Sequence, residues 1–245
     1  MLSQYLEDCT KFMQKSTAFP RPIRSYVLRQ GRITKAQSEA LANPHSSFLL
    51  SPEIPLQNGE AVFERLAPIT LEIGFGMGDS LLAMAQQNPE QNFIGIEVHA
   101  PGVGRLLHRM ELEAIHNVRI YHADAVEVLK TLIAPESLSR VCVFFPDPWT
   151  KKRHHKRRII QKPFIETIAS VLKIGGDFHL ATDVEDYAMW MQEMLESSPL
   201  FENRYGPKAF APQSLRPETK FERRGIAIGH GIWDLVYKKC NKTAG

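Results

Sequence analysis

Residues 71–80 read Leu-Glu-Ile-Gly-Phe-Gly-Met-Gly-Asp-Ser, an apolar run that closes on Glu72 and three glycines at alternate positions. Glycines at the end of a strand allow a tight turn and let a ligand approach main-chain N–H groups closely. Gly74 and Gly76 are therefore candidate cofactor contacts. The spacing is GxGxG, not the GxGxxG of dinucleotide sites, and the Glu72 carboxylate beside it would repel a pyrophosphate. A cationic sulfonium ligand meets no such repulsion, which favours S-adenosylmethionine (SAM) over NAD. Glu97, 23 residues beyond Gly74, ends the next apolar run and can accept hydrogen bonds from both ribose hydroxyls. Asp124 and Ala125 follow a third run. The first can meet an adenine amino group and the second offers a backbone N–H to a ring nitrogen, although Asp124 also suits the N-cap of the next helix.

A second constellation follows the fourth apolar run: Phe144-Phe145-Pro146-Asp147-Pro148-Trp149, then Lys151 to Arg158 as Lys-Lys-Arg-His-His-Lys-Arg-Arg. Flanking prolines fix the backbone around Asp147 and hold its carboxylate at the edge of a sheet. The basic run contains six of the 30 Lys and Arg and no acid, leaving 24 basic against 27 acidic residues elsewhere. Positive charge concentrated in this way beside a cofactor pocket suits a track for phosphates, which makes Arg153, His154, His155, Lys156, Arg157 and Arg158 candidate RNA contacts. Asp183 closes a fifth apolar run and is either a base contact or a helix cap. No Ser/His/Asp or Cys/His arrangement is evident, and Cys9, Cys142 and Cys240 have neither disulfide nor zinc spacing. No metal is expected.

These groups are spaced as βα units require. The pattern predicts strands at 69–73, 92–98, 118–122, 141–145 and 177–181, each set of residues above lying at a strand's carboxyl end. Helices are expected at 80–87 with Asp79 as cap, within 103–115, at 125–133, at 160–172 ended by Gly175 and Gly176, and at 185–196. Segments 201–205 and 225–238 read as a late antiparallel pair. The fold expected is α/β and Rossmann-like: a seven-stranded, mostly parallel sheet with an antiparallel last strand and helices on both faces. Residues 1–60, rich in Pro, Ser, Gln and Asn with a basic stretch at 21–35, read as an arm that is partly flexible or folded over the core, and 61–245 as the catalytic domain. No apolar run approaches the roughly 18 residues of a membrane span. No signal pattern opens the chain, so a cytoplasmic protein is expected, as a monomer or alternatively a homodimer.

The motif PDPWxKKRHxKRR, with LEIGFGMG, TKFERRG and the arm segment RSYVLRQGRITKAQ, resembles the bacterial-type tRNA (guanine-N7-)-methyltransferase family, a class I SAM-dependent group. The resemblance implies transfer of a methyl group from SAM to N7 of a guanosine in the tRNA variable loop, forming m7G. It implies cofactor contacts from Glu72, Glu97, Asp124 and Asp147, with Asp147 also catalytic. It further implies substrate contacts from Lys151, Asp183, Thr219, Lys220, Phe221 and Glu222. The alternatives are methylation of another RNA base and a non-catalytic RNA-binding protein. Guanine N7 bears a lone pair and no proton, so its methylation needs no general base. The residues leave open whether Asp147 or Asp183 holds the guanine Watson–Crick edge.

Overall fold

The computed structural model describes residues 25–26, 32–43, 47–51, 62–218, 222–223, 226, 229 and 231–241. Seven strands form one sheet in the order β3-β2-β1-β4-β5-β7-β6. They are β1 (Ile69–Ile73), β2 (Asn92–Ile96), β3 (Val118–Tyr121), β4 (Leu138–Phe144), β5 (Leu172–Thr182), β6 (Phe201–Asn203) and β7 (Trp233–Lys239). The first five pair in parallel, and β7 is inserted antiparallel between β5 and β6. Fully buried stretches such as Ile-Thr-Leu-Glu-Ile in β1 are what a sheet covered on both faces demands.

Helices α1 (Lys35–Ala42), α2 (Asp79–Gln87) and α3 (Ala100–Leu112) pack on one face, around Leu81, Leu106, Leu107 and Met110. Helices α4 (Ala125–Thr131), α5 (Lys162–Val171) and α6 (Glu185–Glu196) cover the other, around Leu129, Ile165, Ile168 and Met191. Alternate strand residues serve the two cores. Leu71 and Ile73 face α4–α6, whereas Cys142 and Phe144 face α1–α3. No helix among the described residues is long and apolar enough to cross a membrane.

Two expectations are corrected. Asp79 does not cap α2; Gly78, in the left-handed region at φ 80°, is the N-cap. Asp79 instead bonds Arg105 and Arg109 of α3, at 2.8 and 2.9 Å, tying the two helices together. Gly175 and Gly176 do not end a helix, because buried Leu172 pairs with Leu138 at the base of the sheet. The chain therefore passes directly from α5 into β5, and the glycines sit in an irregularity between the Leu138–Leu172 and Arg140–Asp177 pairs. Part of the arm belongs to the core: α1 packs on α3, and Leu49 bridges Ile120 of β3. A capping box between Thr34 and Gln37 starts α1.

The approach of α3 to the glycine turn is very close. A Cβ on Gly102 would lie 2.0 Å from the carbonyl oxygen of Gly76, a backbone atom that cannot move aside alone. Gly102→Ala is therefore expected to destabilise the protein by about 1–3 kcal/mol through overpacking. This is despite the roughly 1 kcal/mol by which alanine is favoured over glycine within a helix. A urea titration showing equal or greater stability in the variant would contradict this.

Candidate active site

A cavity of about 430 Å³ opens where β1 and β4, neighbours in the sheet, send their chains to opposite faces. This is the switch point at which open α/β sheets bind ligands, and the size suits a small-molecule cofactor. Gly74 and Gly76 line it, at φ 73° and 55°. An added Cβ would meet nothing within 4 Å at either, so open space lies over the turn.

Glu97 organises the floor. Its Oε2 accepts from Gly76 N at 2.8 Å, and its Oε1 accepts from Val98 N and His99 N at 2.7 and 2.9 Å. A carboxylate has about four acceptor sites, so three are already used and one remains on Oε2. The arrangement also bears on the cofactor's class, because a carboxylate already sits on the turn amide that a pyrophosphate would require.

Glu72 lies elsewhere. It pairs in register with Cys142, whose side chain faces α1–α3, and it does not line the cavity. Burial pushes its carboxyl up to about 8, against a lowering influence from Ser80, with Glu97 adding to the rise. Neither Glu72 Oε2 nor Ser80 Oγ completes a hydrogen bond. Burial thus favours the protonated, uncharged form near neutral pH, which weakens the repulsion of phosphate expected from Glu72.

Asp124 both caps α4, accepting from Val126 N at 2.9 Å, and lines the cavity beside Ala125. A carboxylate has two oxygens, so the cap does not by itself exclude a contact within the cavity. Asp147, beyond the end of β4, also lines the cavity. The residues that bracket its prolines, Phe145 and Trp149, have φ of 51° and 45°, a strained conformation for aromatic residues. The Trp149 indole donates to Ser25 O at 2.9 Å, which brings Ser25 and Tyr26 of the arm to the cavity wall. Asp183 follows β5 outside the cavity lining and does not cap α6, whose N-cap is Val184.

The basic run forms a 3₁₀ helix over Lys152–Arg157, immediately after this loop. Lys151, Lys152, Arg153 and Lys156 are exposed. Arg157 stacks on Trp149, its guanidinium carbon 3.7 Å from the ring centroid, and donates to Tyr26 O. His154 meets the edge of Trp149, and desolvation together with Arg153, Arg157, Lys151 and Lys156 holds its imidazole below the ordinary range. His155 packs edge-on to Trp190. Arg158 is the exception. Its side chain is 1% exposed, bonded to Asp186 and to Pro148 O, and it lies over Tyr187 and Trp190. A phosphate cannot reach it, so its place in the basic run reflects packing of the loop on α6.

These residues sit on a chain whose relatives are known. Residues 66–235 match the family described as "Putative methyltransferase". The tRNA (guanine-N(7)-)-methyltransferase of Alcanivorax borkumensis is 50% identical over 220 residues, covering 89% of this chain and 92% of that protein. The enzyme of the same name from Shewanella sp. (strain W3-18-1) is 52% identical over 236 residues, covering 95% and 98%. The chain belongs to the tRNA (guanine-N7-)-methyltransferase family. The fold agrees with that of the 16S rRNA methyltransferase KamB, at a TM-score of 0.54 and 13% identity over 76% of this chain and 98% of that one.

Within this family member the structure brings Gly74, Gly76, Glu97, Asp124, Ala125 and Asp147 to one cavity, with Lys151 at the start of the basic helix. Thr219, Lys220 and Phe221 lie outside the described residues. Glu222 is 3% exposed and bound through both carboxylate oxygens to Arg216. Sequence reasoning missed Arg216, Asp234, Ser25 and Tyr26 as neighbours of the site. Ser25 and Tyr26 lie in the arm segment RSYVLRQGRITKAQ, which assigns them no role, neither periodicity nor motif marks Arg216 or Asp234, and each is brought in by a contact distant along the chain.

Two outcomes follow from the charges. For Glu72 the folded state keeps a proton up to about pH 8, whereas the unfolded chain releases it near 4.5. Its contribution to stability is therefore full below about pH 4.5 and is lost as pH rises to about 8. Glu72→Gln should gain stability relative to the parent across that window, on the order of 3 kcal/mol by pH 7. Parallel stability–pH curves for the two proteins would contradict it. Arg158→Ala should cost about 1–3 kcal/mol of stability, because it removes the buried stem packed on Tyr187 and Trp190 and leaves Pro148 O without its donor, while Asp186, 67% exposed, is simply solvated. Lys156→Ala should cost close to nothing, and chemical denaturation distinguishes the two.

Proposed function

We propose that this protein transfers a methyl group from SAM to N7 of a guanosine in the tRNA variable loop, forming m7G. The observation that carries the reading is one cavity lined by the glycine turn, Glu97, Asp124 and Asp147, with an exposed basic helix following Asp147 in the chain.

The residues fit SAM by their chemistry. Glu97 has one acceptor site left for a ribose hydroxyl, and Asp124 has a second oxygen for an adenine amino group. When bound, SAM supplies an electrophilic methyl group carried on a positively charged sulfur. The remaining task falls to the chain: to hold the base so that N7, methyl carbon and sulfur are in line. A carboxylate accepting from guanine N1–H and N2–H leaves N7 directed away from itself, and Asp147 and Asp183 are the candidates. Positive charge passes to the purine ring during transfer, and the Asp147 carboxylate at the cavity edge would stabilise it. No proton must be removed from N7, so the chemistry asks for no general base beside Asp147.

Lys152, Arg153 and Lys156 suit the phosphate backbone, since a lysine or arginine bonded to guanine N7 would block the atom to be methylated. Replacing these three by Gln is expected to weaken tRNA binding. It should also flatten log affinity against log salt by about 0.7–0.9 for each phosphate no longer neutralised. The methylated nucleoside should remain the same. A parental salt slope would show that the helix is only a solvated surface.

The direct test is incubation with labelled SAM and unmodified tRNA, followed by nucleoside analysis. m7G is expected; any other methylated nucleoside would refute the assignment. Asp147→Ala should lower the rate by on the order of a hundredfold, the usual consequence of a misplaced base. SAM affinity should stay within a few-fold of the parent. A parental rate would remove Asp147 from the mechanism.

A further inference from the structure

We propose that Arg216 is a positioning residue for the acceptor end of the site, and that Glu222 acts on tRNA methylation through Arg216 and not by touching the base. The proposal rests on the methyltransferase reading above. It begins from a buried charge cluster on the α1–α3 face of the sheet. Arg216 donates from Nη1 and Nη2 to the two oxygens of Glu222, at 2.5 and 2.8 Å. It donates from Nε and Nη2 to the two oxygens of Asp234 in β7, at 2.8 and 3.0 Å. Asp234 Oδ1 is also 2.8 Å from Nε2 of His179 in β5. All four side chains are 3% exposed or less.

A cluster of this kind is a poor way to stabilise a core, since apolar side chains of similar volume often give equal or greater stability. What it provides is direction. A guanidinium bound bidentately on two sides has its orientation fixed by the fork of its N–H groups, which a lysine cannot reproduce. Here that fixed plane also lies 5.5 and 5.1 Å from the ring centroids of Phe144 and Phe145. Both rings line the cavity, and both precede Pro146 and Asp147 in the chain. Phe145 is held at φ 51°, a conformation that needs support from its surroundings. Arg216 thus braces, from behind, the loop that carries Asp147, and it anchors Glu222 to the same point of the sheet.

Glu222 itself is poorly suited to reading a base that arrives from solvent. It is buried, and each of its oxygens is engaged by Arg216. At the cofactor end, Glu97 and Asp124 are held instead by backbone amides of their own loops and helix. Disturbing Arg216 should therefore affect the acceptor and leave the cofactor.

The test is a double-mutant cycle on the full chain with Arg216→Lys, Glu222→Gln and the double variant. The readouts are the SAM dissociation constant by calorimetry, and kcat and KM for unmodified tRNA. Each single variant is expected to lose tenfold or more in kcat/KM for tRNA with SAM affinity within threefold. The double variant should be no worse than the more damaged single, as coupled residues require. Losses that multiply in the double variant would overturn the proposal, as would parental kcat/KM in Arg216→Lys. If Arg216→Lys fails to fold, Asp234→Asn takes its place in the cycle with the same expectation, because Asp234 holds the other side of the guanidinium. Loss of SAM binding in both would make the cluster merely structural and equally overturn it. A parent protein that methylates no tRNA would refute the underlying reading and this proposal with it.

Discussion

The site depends first on one carboxylate. Glu97 accepts from the amides of Gly76, Val98 and His99, so a single side chain joins the glycine turn after β1, the end of β2 and the start of α3. Hydrogen bonds to a charged group contribute about 1.5–3 kcal/mol each, which is enough to fix a turn whose glycines have many other conformations available. The 2.0 Å that would separate a Gly102 Cβ from Gly76 O expresses the same constraint sterically. The helix can come that near only because its first turn has no side chain there. What results is a rigid floor with open space above it, prepared before any ligand arrives.

The loop that carries Asp147 is built on a different principle. From Phe145 to Trp149 the backbone is strained at both aromatic ends and stiffened by two prolines between them. Such a loop holds its shape only if its neighbours over-determine it. The neighbours are identifiable: Ala181 O accepts from Phe145 N at 2.8 Å, Ser25 O accepts from the Trp149 indole, and Arg158 donates to Pro148 O. Three separate parts of the chain thus converge on Asp147. The basic run divides accordingly, with Arg157 and Arg158 holding the loop and Lys151, Lys152, Arg153 and Lys156 facing outward.

Charge buried under the sheet is accommodated in two ways. Glu72 is made tolerable by protonation, since its Oε2 completes no hydrogen bond. Asp234 and Glu222 are made tolerable by Arg216, and burial holds His179 below the ordinary imidazole range although Asp234 works against this. Both solutions lie on the same face, where Glu72, Cys142 and His179 follow one another across β1, β4 and β5.

Architecture and the cofactor end of the site are legible in the residues alone. Short apolar runs, each closing on an acid or a glycine, specify parallel βα units, and parallel units put every strand's carboxyl end on one edge. Gly74, Gly76, Glu97, Asp124, Ala125 and Asp147 therefore meet for reasons that are local in the chain. The family is legible too, because the PDPW and basic motifs are contiguous. Which of several similar charges does what is settled by packing. Arg158 and Lys156 are two residues apart in one basic run, yet one is buried on α6 and the other is in water. Glu72 and Glu97 both end strands beside the turn, but Glu72 is enclosed within β1 at 2% exposure whereas Glu97, beyond the end of β2, lines the cavity. Arg216 comes to lie behind the cavity wall through Asp234 and Phe145, partners distant from it in sequence. Burial and pairing over such separations depend on the packed sheet, and no local pattern encodes them.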